Sequence, residues 1–196
     1  MQKLANKLRL LKDFYLRQEK VSGLPVELVI ETTNKCNLNC VMCIRQKMTR
    51  PVGFMSMKLF QKIIDEVSLY LELVYLHGLG EPLFHPKIFE MIAYAKNRGL
   101  KVGLSTNATI LTSARSEKLL VSGLDYLIIS LDAATAKTYL KVRGGKNFPQ
   151  VVANVREYLK LKRRVEKTPF TVVQFVRSDF NKDESRDRLF IGNGFK

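Results

Sequence analysis

The chain has 196 residues, 33 Lys and Arg against 18 Asp and Glu, and a formal net charge of +15. That length suits one domain with a single sizeable core, and an apolar share of 46% excludes a disordered polymer. No run of about eighteen apolar residues spans a bilayer, and the basic N-terminus lacks the continuous apolar stretch of a secretory signal, so a cytoplasmic protein is the default reading.

In chain order, residues 2–20 carry Leu4, Leu8, Leu11 and Tyr15 at the spacing of one helix face. An amphipathic helix is expected there, packed across the bottom or side of the domain. The alternative is a frayed basic arm. Residues 27–31 (ELVIE) form a short β-rich run leading into Thr32-Thr33-Asn34-Lys35-Cys36. A helix over 56–71 places Leu59, Phe60, Ile63, Ile64, Val67 and Leu71 on one stripe, with Ser56 as its N-cap.

A second strand at 73–76 runs into His77-Gly78-Leu79-Gly80-Glu81-Pro82, and a helix over 86–98 comes next, with Pro86 at its first position and Gly99 just past its end. His77 reads as a rim residue and His85 as a helix cap. Strand three, 101–105, ends in Thr106-Asn107-Ala108, and a short helix covers 113–121. Strand four, 126–131, is an apolar run that predicts burial on both faces. Helical patterns then occupy 134–142 and 148–163, the second with Asn147 as a candidate cap. Strand five spans 170–176.

Repeated strand–helix alternation predicts an α/β fold with parallel strands. Right-handed crossovers put every strand's C-terminal end on one rim, where ligands of such folds bind. The polar motifs at 36–43, 78–82, 105–107 and 130–132 all lie just after strands one to four.

The only three cysteines lie within eight residues, as Cys36-x3-Cys40-x2-Cys43. An odd, clustered set is a poor disulfide framework and a good set of thiolate ligands. Soft sulfur selects zinc or an iron–sulfur cluster. Both ordinarily take four protein ligands, and no fourth cysteine exists. Three thiolates on a cluster leave one iron open for chemistry.

This pattern resembles the radical S-adenosylmethionine superfamily, over about residues 25–177. The resemblance implies a [4Fe–4S] cluster on Cys36, Cys40 and Cys43 and S-adenosylmethionine as cosubstrate. An electron donor such as ferredoxin or flavodoxin would reduce the cluster. Met42 stands where the family usually has an aromatic, with its backbone against the adenine. Gly78–Pro82 resembles the family's Gly-Gly-Glu motif, with Leu79 in place of a glycine. Gly80 there allows close backbone approach, and the Glu81 region binds the methionine ammonium. Asn107 lies in a loop facing cosubstrate or substrate. Ser130, in Ser130-Leu131-Asp132, is a polar contact to the cosubstrate, and Arg143 matches an arginine near the methionine carboxylate. Plainer readings compete at each: a turn at Gly78–Pro82 and at Asn107, an N-cap at Asp132, a solvated surface arginine at 143.

The family core usually has six strand–helix units, and five strands are read here. The expected fold is therefore an incomplete (β/α)6 partial TIM barrel, residues 25–177, after an N-terminal helix in residues 1–24. Residues 178–196 read as an atypical, disordered tail, and a truncation or a frameshift near Ser185 is the expectation that goes with it. Two other functions compete: a non-catalytic zinc or iron module on the three cysteines, and RNA binding or modification driven by charge. The +15 charge favours anionic partners, whether nucleic acid, phosphorylated substrate or membrane surface, against the plainer reading of a solvated basic face. Its densest block, Lys160 to Lys167, sits where a helix should end and has no aromatic platform beside it. The substrate is not readable from sequence.

Overall fold

A computed structural model describes residues 2–184 and 186–187. Serine 185 and residues 188–196, with part of the expected tail, lie outside the described residues.

After helix α1 (Gln2–Tyr15), strands and helices alternate: β1 (Glu27–Val29), α2 (Met57–Val67), β2 (Leu73–Tyr75), α3 (Ile88–Asn97), β3 (Lys101–Thr106), α4 (Ser113–Val121), β4 (Tyr126–Ser130), α5 (Ala136–Arg143), α6 (Phe148–Lys162) and β5 (Phe170–Gln174). Among the described residues the sheet has five strands, all parallel, in the order β1-β2-β3-β4-β5. The order never reverses. Crossovers of one hand then stack every helix on the same face, and the other face becomes the inside of a partial barrel.

The outer face carries the core. Val74, Val102, Leu104, Leu127 and Ile129 are fully buried against Phe60 and Ile64 of α2, Met91 and Ile92 of α3, Leu119 of α4 and Val155 and Tyr158 of α6. Strand β4 corrects an expectation. Leu127 and Ile129 are buried, but Tyr126, Ile128 and Ser130 on the other face are only half-buried. The run reads as doubly buried because it is apolar, whereas its second face lines the open barrel side.

Caps agree with the sequence in part. Ser56 accepts from the Leu59 N–H at 3.2 Å, as expected. Helix α3 starts at Ile88 rather than Pro86, because His85 Nδ1 accepts the Lys87 N–H and holds the chain in a turn before it. Asn147 occupies the cap position of α6 without a side-chain cap bond. The cap of α5 is Thr135, whose hydroxyl accepts from Thr138 N–H, and not Asp132.

Helix α1 packs at the N-terminal end of the sheet, as expected, but through its polar side. It docks through Asn6 and Asp13, which are buried, while Leu4, Leu8, Leu11 and Tyr15 face solvent. A period of 3.6 gathers apolar residues on one side but does not choose the side that docks. Here the loop at 22–24 offers backbone N–H and C=O groups, and polar side chains take them.

Residues 178–184 are built onto the core. Glu184 accepts from Ala134 N–H and from the Thr135 and Thr138 hydroxyls. Asn181 donates to the Asp132 and Val176 carbonyls.

Candidate functional site

A cavity of about 270 Å³ opens at the C-terminal rim of the sheet. It brings together all nine residues singled out from sequence: Cys36, Met42, Cys40, Cys43, Gly80, Glu81, Asn107, Ser130 and Arg143. The reason is topological. Each belongs to the segment leaving a strand, except Arg143, which returns from the end of α5.

The cysteine loop is pinned at both ends. Asn34 Nδ2 donates to Pro51 O at 2.9 Å and Asn34 Oδ1 accepts from Gly53 N–H at 2.8 Å, while the Thr33 hydroxyl donates to Gly53 O at 2.7 Å. Inside the loop, Arg45 reaches back to Leu38 O and Gln46 to Cys40 O. The end of α5 holds the loop from the other side. Val41 N–H donates to Val142 O at 2.9 Å, and Gly144, at φ +70°, lies so close to the Asn39 backbone that a Cβ there would press on its carbonyl.

The sulfur atoms meet N–H donors. Arg143 Nη1 lies 3.4 Å from Cys40 Sγ, and Asn107 Nδ2 lies 3.7 Å from Cys36 Sγ. Burial pushes the Cys40 thiol up, and the Arg143 guanidinium pulls it back. All three cysteines are free, and all three line the one cavity. Among the described residues, no three His, Cys, Asp or Glu side chains are gathered closely enough to hold one metal ion. Three thiols that line one cavity, two of them met by N–H donors, are a donor set that suits a multi-iron cluster.

Arg143 is no surface arginine. Its guanidinium pairs with Asp132 at 3.3 Å and donates to the Ser130 carbonyl, and both charged side chains are nearly inaccessible. Asp132 is held at φ +59° and also accepts from Val176 N–H at 2.7 Å. Burial raises its carboxyl, while Arg143 and the Val176 N–H oppose the shift. The Asp132–Arg143–Cys40 chain is a feature that sequence reasoning missed. The signal was Asp132 at a strand's end and Arg143 in the last turn of the next helix, one residue before a glycine.

Glu81 is fully engaged by the protein. Its carboxylate accepts from Thr106 Oγ1 at 2.8 Å, Asn107 N–H at 2.6 Å and Leu83 N–H at 3.2 Å. Burial pushes its carboxyl up, and these donors pull it down. It braces the loop after β2 against the loop after β3. Gly80 permits a close approach, but to the chain itself: a Cβ there would overlap the Thr33 carbonyl oxygen. Asn107 also bonds Asn37 at 3.1 Å, so three rim loops are tied together. Ser130 Oγ sits 3.3 Å from Ser105 Oγ on the inner face. Two buried nitrogens of lining residues, His77 Nδ1 and Arg143 Nε, have no hydrogen-bond partner, which suits a cavity shaped for a polar ligand. Burial alone holds the His77 imidazole below its ordinary value.

Residues 30–180 match the family described as the Radical SAM superfamily, and the chain belongs to it. It is 38% identical over 107 residues to the tungsten-containing aldehyde ferredoxin oxidoreductase cofactor-modifying protein of Pyrococcus furiosus, covering 54% of this chain and 30% of that one. It is 36% identical over 125 residues to the AdoMet-dependent heme synthase of Methanosarcina barkeri, covering 63% and 36%. It is 32% identical over 145 residues to the mycofactocin maturase MftC of Mycobacterium tuberculosis, covering 74% and 36%. The chain thus spans about a third of the length of these relatives. The same fold occurs in Streptococcus suis SuiB bound to S-adenosylmethionine, with TM-score 0.66 and 18% identity over 90% of this chain and 40% of that one. Family and fold together imply S-adenosylmethionine and an iron–sulfur cluster. Among the described residues no helix is long and apolar enough to cross a membrane.

Proposed function

We propose that the chain is the core of a radical-forming enzyme, with a [4Fe–4S] cluster on Cys36, Cys40 and Cys43 and S-adenosylmethionine at its open iron. The supporting observation is the convergence of three free thiols on one rim cavity, two of them met by side-chain N–H donors. Held by Cys36, Cys40 and Cys43, such a cluster would supply the single electron for reductive cleavage of the cosubstrate's sulfonium bond, and with it the hydrogen-atom abstraction from a substrate.

The residues of the chain bind and orient. Arg143 and Asn107 donate to cysteine sulfurs and stabilise their anionic form. Because the Glu81 carboxylate is taken, it is the backbone of the 78–80 segment that faces the methionine ammonium, and Glu81 sets its position. Met42 lies beside the adenine, and the Ser130 hydroxyl contacts the cosubstrate. Arg143, already committed to Asp132 and Cys40, meets the methionine carboxylate only through what its guanidinium has left. An electron donor of the ferredoxin or flavodoxin class would supply the reducing electron. The substrate is unassigned.

Anaerobic reconstitution with iron and sulfide tests the reading. S-adenosylmethionine should change the electron paramagnetic resonance signal of the reduced cluster, and dithionite should then release 5′-deoxyadenosine. Tight uptake of a single zinc ion, with no spectroscopic response to the cosubstrate, would overturn it.

A further inference from the structure

Helix α1 is attached by its polar side. Asn6 exchanges hydrogen bonds of 2.8 and 2.7 Å with the Leu24 backbone, Asp13 accepts from Ser22 N–H and its hydroxyl, and Lys7 pairs with Glu72 at 2.6 Å. On the opposite side Leu4, Leu8, Leu11 and Tyr15 are 64%, 57%, 51% and 73% exposed. Phe14, stacked edge-on against Tyr15, is exposed beside them. An ordinary surface helix turns its apolar stripe to the core. Scattered exposed leucines need no explanation, but a continuous stripe does.

The charge around the stripe selects its occupant. At 100° per residue, Lys12 flanks it on one side, and Lys7, whose charge is shared with Glu72, on the other. Lys3, Arg9, Arg17 and Lys20 add to the same segment. Of its two acids, Asp13 is buried on the docking side, leaving Glu19 exposed. Leucines between cations match the boundary of headgroup and acyl chain in an anionic lipid surface. A second copy fits poorly, since each chain brings a net charge of +15. Nucleic acid would stack on rings, and although Phe14 and Tyr15 are exposed here, three of the four stripe residues are leucines.

We propose that the outward face of α1 binds anionic lipid and holds the protein at a membrane surface. The helix lies at the N-terminal end of the sheet, where Lys7 meets Glu72 and Lys3 meets the Gly99 carbonyl, just before β2 and β3. The cysteine cavity is at the opposite rim, so a lipid-bound chain keeps it facing away from the surface. This holds whether or not a cluster is bound.

Co-sedimentation of the full chain with vesicles is the test. It should bind vesicles of equal parts phosphatidylglycerol and phosphatidylcholine, release from them as salt rises, and bind pure phosphatidylcholine at least about tenfold more weakly. Leu8→Asp with Leu11→Asp should lower partitioning at least about tenfold, with the far-ultraviolet circular dichroism unchanged because both side chains are exposed. Lys12→Glu, which keeps the stripe, should lower it about fivefold or more. Absence of binding to the anionic vesicles, or binding that survives both variants, overturns the proposal. So does a concentration-dependent dimer that the leucine substitutions abolish, or polyuridylate binding that they abolish.

Discussion

At the C-terminal rim of the sheet, carboxylates and a guanidinium are buried and paired, whereas at its N-terminal end the leucines of α1 stand in solvent. Both ends invert the usual rule that apolar residues go in and charges go out. The rim does so at a cost in desolvation, met by donors aimed at each acceptor: three for Glu81, and Arg143 with the Val176 N–H for Asp132. The base does so without compensation inside the chain. Buried polarity that is satisfied points inwards, to a ligand cavity. Exposed apolarity that is unsatisfied points outwards, to a surface the chain meets. The half-exposed inner face of the sheet lies between the two.

Substitutions at the rim break or sharpen this contrast. The largest effect is expected at Cys40: Cys40→Ala should abolish cluster assembly, read as loss of bound iron and of cluster absorbance after reconstitution. A full iron complement in that variant would remove the cysteines from the centre. Next is Arg143→Met, which leaves Asp132 buried with no opposite charge. Unfolding in urea should show a loss of about 3–5 kcal/mol, and adding Asp132→Asn should recover part of it. If the single variant is as stable as the wild type, the pair is not what holds α5 to β4.

Two smaller effects are expected nearby. Gly80→Ala pushes a methyl into the Thr33 carbonyl, with an expected cost of about 1–3 kcal/mol by the same urea measurement. An unchanged midpoint would mean that the two loops are not packed as described. The mildest expected effect is a pH dependence at His77. Burial holds its folded value below the ordinary 6.5, so its contribution to stability is complete above that pH and declines as pH falls below it. Thermal melting of the metal-free chain from pH 7 downwards should therefore fall less steeply in His77→Gln. Parallel curves would show that the imidazole is not desolvated.

Much of the fold was legible because its signals are local. Strand and helix periods, the cap at Ser56 and the turn at 78–82 each lie within a few residues, and strict alternation forces a parallel sheet. The rim cavity was legible for the same reason, since each motif comes directly after a strand. What escaped depends on contacts far apart in sequence. Arg143 at the end of a helix resembles any cation at a helix C-terminus until α5 folds back on the cysteine loop. Asp132 looks like a cap until a positive φ turns it toward Val176 and Arg143. Leu4 and Leu8 look like core until Asn6 finds Leu24, 18 residues away. The Glu81 region reads as a ligand contact, and the Glu81 carboxylate itself accepts from three donors of its own chain.

Asn34 joins Pro51 and Gly53 across the base of the cysteine-bearing segment, and Thr33 adds a third tie. The entropy of closing that loop is therefore spent during folding and not during metal insertion. Iron and sulfide should enter a receptacle that already has its shape. A chain freed of the proposed cluster should therefore keep its architecture and be recharged without refolding.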